Sequence, residues 1–310
     1  MEWSALGTRL FACSAVMVAV STLAVALRFI SRGRILHVLG PTDWFIAATL
    51  VFAIVNTAGV GAHVSRGLGT PSSEISDEER RAALKLQYFL IIVNNLGLIL
   101  SKISVTLLFL DVFLLTWIRK ATYGLLVVVI LHGLELTLTN IFVCSPISLY
   151  WTNPRHPACG NYILRFIIQS SINVVLNFAL LLLPLPLILP LRLPWRQKLW
   201  LLVLFCLGFA VCIFSLLRVV FVRADLRGDD YWAAGTRIVL WSIMEINLPI
   251  IIACIPTLRP LAAKVWPALA AATPPTNDTS LDRTPRASSA GPVRLRAFDR
   301  YPKRSDFRPV

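Results

Sequence analysis

The sequence predicts an all-α membrane protein, a bundle of seven transmembrane helices with the N-terminus outside and the C-terminus in the cytosol. Three observations carry this expectation. Apolar runs near 20 residues recur along the 310-residue chain, the length a helix needs to cross hydrocarbon. Only 15% of residues are charged, and mean hydropathy is +0.71; a soluble domain has about 25% charged residues. The basic residues behind the net charge of +14 sit in alternate connections and in the C-terminal tail. That placement marks a cytosolic membrane face rather than a nucleic-acid-binding surface.

The first span covers about 10–30, after a short outer N-terminus at 1–9. It starts where a signal peptide would, but it is too long and lacks a small-residue cleavage site before its basic flank, so it reads as a retained helix. Arg28, Arg32 and Arg34 lead to a turn at Gly40-Pro41, and Asp43 opens the second span, about 43–62. Arg28 and Asp43 then lie near one membrane face at the ends of adjacent helices, where an ion pair closing the hairpin is expected. Ser76 with Asp77, Glu78 and Glu79 reads as an N-cap and acidic first turn opening the third helix. Its span, about 84–116, exceeds what a bilayer needs, so the helix tilts or projects.

The fourth span is about 121–143, and the loop between Cys144 and Cys159 follows. The fifth, about 162–190, runs into Pro184, Pro186, Pro190 and Pro194, which must kink or end it. The sixth is about 198–222 and the seventh about 236–258. Residues 10–260 thus form one membrane domain, and 261–310 a basic tail too rich in Pro, Ser, Thr, Arg and Lys to fold.

Orientation follows from the connections. Arg32 and Arg34, then Arg119 and Lys120, then Arg192, Arg196 and Lys198 lie in the odd ones without intervening carboxylates. The even ones mix Arg with Glu74, Asp77, Glu78, Glu79, Asp225, Asp229 and Asp230. The odd connections and the tail are therefore expected in the cytosol. The Cys144–Cys159 loop then faces an oxidising space where a disulfide is expected, two free thiols being the alternative. The other four of the six cysteines sit in apolar runs, and no CxxC pair occurs.

Within the spans the informative residues are polar. A charge at a helix centre in the bilayer costs roughly 2.5 to 3.5 kcal/mol, so Glu245 in the seventh span requires a partner. Depth from a rise of about 1.5 Å per residue nominates Arg218 on the sixth helix, with Glu135 or His132 on the fourth as second choice. Gln169, Asn173 and Asn177 recur every fourth residue and share one face of the fifth helix. Asp111 falls on the opposite side of the third helix from Lys102 and is a poor partner for it. The resulting ligand-pocket candidates are Glu135, His132, Asn173, Arg218, Trp241 and Glu245, in the outer half of the bundle. Arg28, Asp43 and the Cys144–Cys159 pair are candidate structural residues. The bland alternative is that these polar groups only join helices, each interhelical bond contributing about 0.6 kcal/mol.

Several functions are disfavoured. The seventh span has no lysine for a retinal Schiff base, and the one lysine well inside a span is Lys102. The third helix ends LTWIRK rather than in an Asp-Arg-Tyr pattern, the seventh has Asn247-Leu248-Pro249 and no Asn-Pro-x-x-Tyr, there is no P-loop and no HExxH, and Asp229-Asp230 is a short loop-borne pair. No metal or cofactor is expected.

An ordered set of residues nonetheless resembles one family. The set comprises LRFISR at Leu27 to Arg32, Asp43-Trp44, Gly59-x-Gly61-x-His63, Lys102-x-Ser104, and Cys144-x-Pro146 with Trp151 and Cys159. It continues with Asn173, LPLP at Leu183 to Pro186, Lys198, Gly208, Arg218, Trp241, Glu245 and ACIPTLRP at Ala253 to Pro260. Together they resemble the fungal rhodopsin-like seven-helix integral membrane proteins. The resemblance implies seven helices, an outside N-terminus and a disulfide-bearing outer loop. Some members are treated as receptors, and others are encoded beside fungal secondary-metabolite genes. Three positions depart from the family pattern: Thr42-Asp43 replaces an acidic pair, Asn177 replaces an acidic residue, and Asp111 stands where arginine is common. Few residues precede the first span, so the family's extracellular cysteine-rich module is not expected.

The expectation is a receptor-like protein, multi-pass in a plasma membrane or endomembrane. It would sense a small amphipathic or lipophilic molecule among membrane lipids and contact cytosolic signalling proteins through its tail, without nucleic acid. The alternative is a membrane-embedded enzyme or accessory protein of a secondary-metabolite pathway, with Glu245 as general acid or base. A transporter is a lesser alternative.

Overall fold

The structure, a computed structural model, describes residues 4–35, 37–68, 76–112, 116–153, 156–188, 195–225 and 231–265. The tail beyond 265, Asp229-Asp230, Pro190 and Pro194 lie outside the described residues. The elements in order are α1 (Ala5–Phe29) with a π-helical turn (Ile30–Ile35), α2 (Pro41–Val64), α3 (Asp77–Val112) and α4 (Thr116–Ile141). Then come α5 (Leu149–Thr152), α6 (Tyr162–Leu182), α7 (Leu185–Ile188), α8 (Trp195–Asp225) and α9 (Tyr231–Val265). No strand occurs among the described residues. Seven of the helices are long and apolar enough to cross a membrane: α1, α2, α3, α4, α6, α8 and α9.

Helix starts follow capping chemistry. Ser4 Oγ accepts from Gly7 N at 3.0 Å to open α1. At α3, Glu79 N donates to Ser76 Oγ (3.3 Å) while Glu79 Oε2 accepts from Ser76 N (3.1 Å), a reciprocal capping box. Asn161 Oδ1 accepts from Leu164 N at 3.0 Å to open α6. The helices outrun the expected spans at several ends. Those carrying the third, sixth and seventh spans begin at Asp77, Trp195 and Tyr231, ahead of 84, 198 and 236, because capping and helix propensity continue past the apolar segment. The fifth ends sooner, at Leu182 rather than near 190. Pro184 supplies no N–H for the next turn, and the chain resumes only as the single turn α7.

Helix α9 is the hub, packing on α1, α2, α3 and α8. Its Ile246, Ile250, Ala253 and Cys254 join Ala24, Val25, Ile46, Ala53 and Leu98 in one core cluster. Lipid tails are as apolar as these side chains, so close backbone approach matters more here than burial. At Gly97 of α3 a Cβ would lie 2.3 Å from Ile246 Cδ1 and 3.2 Å from Phe52 Cβ; at Gly133 of α4 it would lie 2.8 Å from Ile99. These glycines let α2, α3, α4 and α9 close on one another. The outward faces carry Val16, Leu23, Trp44, Leu131, Leu138, Phe142 and Val175, all exposed, as a lipid-facing surface requires.

Two polar assemblies fix the ends. At one, Cys144 and Cys159 form a disulfide, and Tyr88, Tyr150 and Val143 pack on it. Tyr88 Oη donates to Ile141 O at 2.9 Å, and Lys85 Nζ lies 5.6 Å from the Trp151 ring centroid, so the loop is fastened to the N-terminal part of α3. At the opposite end the π-helical turn brings Arg28 and Arg32 onto one carboxylate. Arg28 Nε and Arg32 Nη1 lie 2.8 and 3.0 Å from Asp43 Oδ1. Asp43 Oδ2 also accepts from Gly40 N at 2.8 Å, and Arg28 Nη1 donates to Ala253 O. Ser31 Oγ donates to Thr257 O at 2.6 Å and Ser104 Oγ to Thr42 O at 3.2 Å. This assembly therefore ties α1, α2, α3 and α9 together. Arg32 and Arg28 also act electrostatically on Asp111, at its exposed edge.

Candidate functional site

The amide face of α6 turns inward. Gln169, Asn173 and Asn177 are all buried and lie on successive turns. Asn173 stands between opposite charges: its Oδ1 accepts from Lys102 Nζ and its Nδ2 donates to Glu245 Oε1. An amide can do both only with its carbonyl toward the ammonium and its NH2 toward the carboxylate, so the charges themselves fix its orientation. Asn177 Nδ2 donates to Glu245 Oε1 at 3.3 Å and to Ser215 Oγ at 2.7 Å, and Ser215 Oγ lies 2.7 Å from the same carboxylate oxygen. The other oxygen, Oε2, lies 2.7 Å from Arg218 Nη1. Glu245 is 1% exposed, so these partners stand in for solvent: Oε1 is hydrogen-bonded, while Oε2 has the Arg218 ion pair but no hydrogen-bond partner among the described residues. A buried carboxylate is tolerable only when paired and hydrogen-bonded in this way.

The structure thus brings together Asn173, Arg218 and Glu245. Trp241 belongs to the same surroundings. It lies one turn from Glu245 on α9 and packs between rings of α8, 5.5 Å from Phe214 and 5.8 Å from Phe221, stacked on the latter. These rings flank Arg218 on its own helix, and the guanidinium also lies 5.8 Å from the Phe166 ring of α6. Arg218 Nε and Trp241 Nε1 are buried and find no hydrogen-bond partner among the described residues.

His132 is an electrostatic neighbour of Lys102 but makes no hydrogen bond to the cluster, and Glu135 lies further out. His132 Nδ1 is 3.5 Å from Glu135 Oε2, whose side chain is 47% exposed. Glu135 Oε1 accepts from Gln169 Nε2 at 3.3 Å. Glu135, Arg165, Gln169, Leu164, Ile168 and Asn161 line a groove of about 310 Å³ between α4 and α6. Gln169 is one turn from Asn173, so the groove adjoins the Glu245 cluster through the amide face without sharing its charges. No group of three or more metal-ligating side chains occurs among the described residues.

Three members of the cluster were not among the residues nominated from the sequence: Lys102, Asn177 and Ser215. Lys102 had a signal, being the one lysine well inside a span. Its partner lies on α6, and that pairing depends on how the two helices are rotated about their axes. Asn177 had one too, as the third member of the amide face. Ser215 had none, since a lone serine in a helix usually bonds its own backbone, as this one also does to Val211 O at 3.0 Å.

A seven-helix bundle with a buried charged cluster and a disulfide at one mouth is a class of multi-pass integral membrane protein. Residues 27–264 match the family model described as the fungal rhodopsin domain, and the chain belongs to that family. It is 25% identical over 274 residues to the polyenoic acids biosynthesis gene cluster protein Ba17b of Metarhizium anisopliae, covering 84% of this chain and 75% of the relative. It is 25% identical over 279 residues to Receptor GIN3 of Arthrobotrys oligospora, covering 89% and 67%. A shorter match, 23% identical over 156 residues, is to fugralins biosynthesis cluster protein 2 of Gibberella zeae, covering 48% and 39%. No solved structure matches the chain.

Proposed function

We propose that the chain is a receptor-like membrane protein that takes a small amphipathic molecule from the surrounding lipid into the polar interior between α3, α6, α8 and α9. The carrying observation is the Lys102–Asn173–Glu245–Arg218 cluster, full charges buried among apolar helices. Such groups mark ligand or ion sites by default. The α4–α6 groove supports lateral entry, with Leu164 and Ile168 on its apolar side and Glu135, Arg165 and Gln169 on its polar side. Binding would displace or re-pair Arg218 and Glu245 across α8 and α9, and the change would reach the tail through α9. The N-terminus is outside and the tail cytosolic, where it meets signalling proteins. The name of one relative, Receptor GIN3, agrees with this reading.

The second reading is a membrane-embedded enzyme or accessory protein of a secondary-metabolite pathway. Two relatives named for biosynthetic clusters favour it, and Glu245 would be its acid or base. Expression of wild type and Glu245→Gln in a host lacking such pathways separates the two. Ligand-dependent signalling lost in Glu245→Gln, with no metabolite turned over by either protein, is the expected result. Conversion of a metabolite by wild type alone would overturn the receptor reading.

A further inference from the structure

The cluster around Glu245 holds two cations and one anion. Lys102 and Arg218 are both 7% exposed. Glu245 is committed to Arg218 through one oxygen and to Asn173, Asn177 and Ser215 through the other. Lys102 makes no hydrogen bond to it and acts on it through space and through the Asn173 amide, whose oxygen is the one hydrogen-bond acceptor of this ammonium among the described residues. An ammonium has three donors, so two remain unanswered. Its other ionisable neighbours are His132 on α4 and Cys212 on α8, and neither supplies an anion at neutral pH. Glu135 is turned to His132 and Gln169. Arg218 Nε and Trp241 Nε1 add two buried donors without partners, against one acceptor atom, Glu245 Oε2, that has its ion pair but no hydrogen bond. The site is therefore short of one negative charge and rich in donors, and the walls beside those donors are Phe166, Phe214 and Phe221.

We infer that the cluster is built for a ligand that brings its own anion, namely the carboxylate of a lipophilic acid. A single negative charge neutralises the surplus, whereas a phosphate monoester would exceed it. The carboxylate accepts from Lys102 and Arg218, and the chain lies along the aromatic walls. The inference rests on the amphiphile-binding reading above and names its ligand class.

The test uses the full-length chain in phosphatidylcholine nanodiscs and three probes of one chain length: oleic acid, oleyl alcohol and oleylamine. Thermal melting is followed in mildly alkaline buffer, where the acid is ionised and the amine still protonated. Oleic acid should raise the wild-type melting temperature while the alcohol and amine do not. In Lys102→Met the apparent affinity for the acid should fall by about tenfold or more, the loss of one charge-assisted contact. The probe-free variant should melt no lower than wild type, since an uncompensated buried charge has been removed. A probe-free Lys102→Met that melts well below wild type would make Lys102 a structural donor and overturn the inference. Equal shifts from all three probes would overturn it and leave the amphiphile reading standing. No shift from any probe would remove both.

Discussion

Glu245 does more than pair with one arginine. Its two oxygens separate their duties, Oε2 to the Arg218 guanidinium and Oε1 to a fan of Asn173, Asn177 and Ser215. Removing the carboxylate leaves two buried cations without an anion, whereas removing Arg218 leaves one cation still joined to Glu245 through Asn173. Glu245→Gln should therefore lower stability by about 3 kcal/mol or more, since breaking a buried pair strands its partner, and by more than Arg218→Gln does. Thermal melting of both variants in nanodiscs checks the order, and a larger loss in Arg218→Gln would refute it. Asp43 offers the control. It is as deeply buried and holds Arg28 and Arg32 at the opposite end of the bundle. Asp43→Asn should destabilise by a similar amount, yet folded protein that survives should keep its probe-dependent melting shift. Loss of that shift in Asp43→Asn would mean that the two assemblies are coupled.

At the scale of elements, helices in lipid gain from close contact of small residues rather than from burying apolar area. Gly97 shows this, because a Cβ there would enter the space of Ile246 on α9 and approach Phe52 on α2. Gly97→Val should cost about 1–3 kcal/mol through overpacking, with Gly97→Ala milder because Ile246 Cδ1 can swing away. The yield of monodisperse protein and its melting temperature report this directly. The loop between α4 and α6 makes its own contribution. Cys144 and Cys159 are separated by 15 residues, and closing a loop of that size stabilises by roughly 3 kcal/mol in the chain-entropy model. The double variant Cys144→Ser/Cys159→Ser should melt lower than wild type, and reducing agent should lower the melt of wild type only. The ends of these elements were partly legible in advance. Ser76 and Glu79 announced the start of α3, and Pro184 required a break after α6. The extra turns of α8 and α9 were not legible, because hydropathy marks where lipid begins and not where a helix stops.

For the whole molecule, the alternation of basic and mixed connections sets the expected orientation. With the tail in the cytosol, Asn277 of the Asn277-Asp278-Thr279 sequon should carry no glycan in a full-length chain. A shift in mobility removed by glycosidase and abolished by Asn277→Gln would reverse the bundle. The same alternation governs function, because it decides which compartment the disulfide-bearing mouth samples.

The sequence by itself determined the seven spans, through the thickness of a bilayer, and showed that Glu245 could not stand alone, through the cost of charge in hydrocarbon. It also put Gln169, Asn173 and Asn177 on one face, since helical geometry is local. Only the tertiary structure decided how each helix is rotated about its axis. Packing around α9 sets that rotation, and it turns Lys102 toward Asn173 while leaving Glu135 at the α4–α6 groove, paired with His132. Rotation depends on contacts between helices far apart in the chain. The second cation and the missing anion of the Glu245 cluster could therefore be seen only once the bundle was assembled.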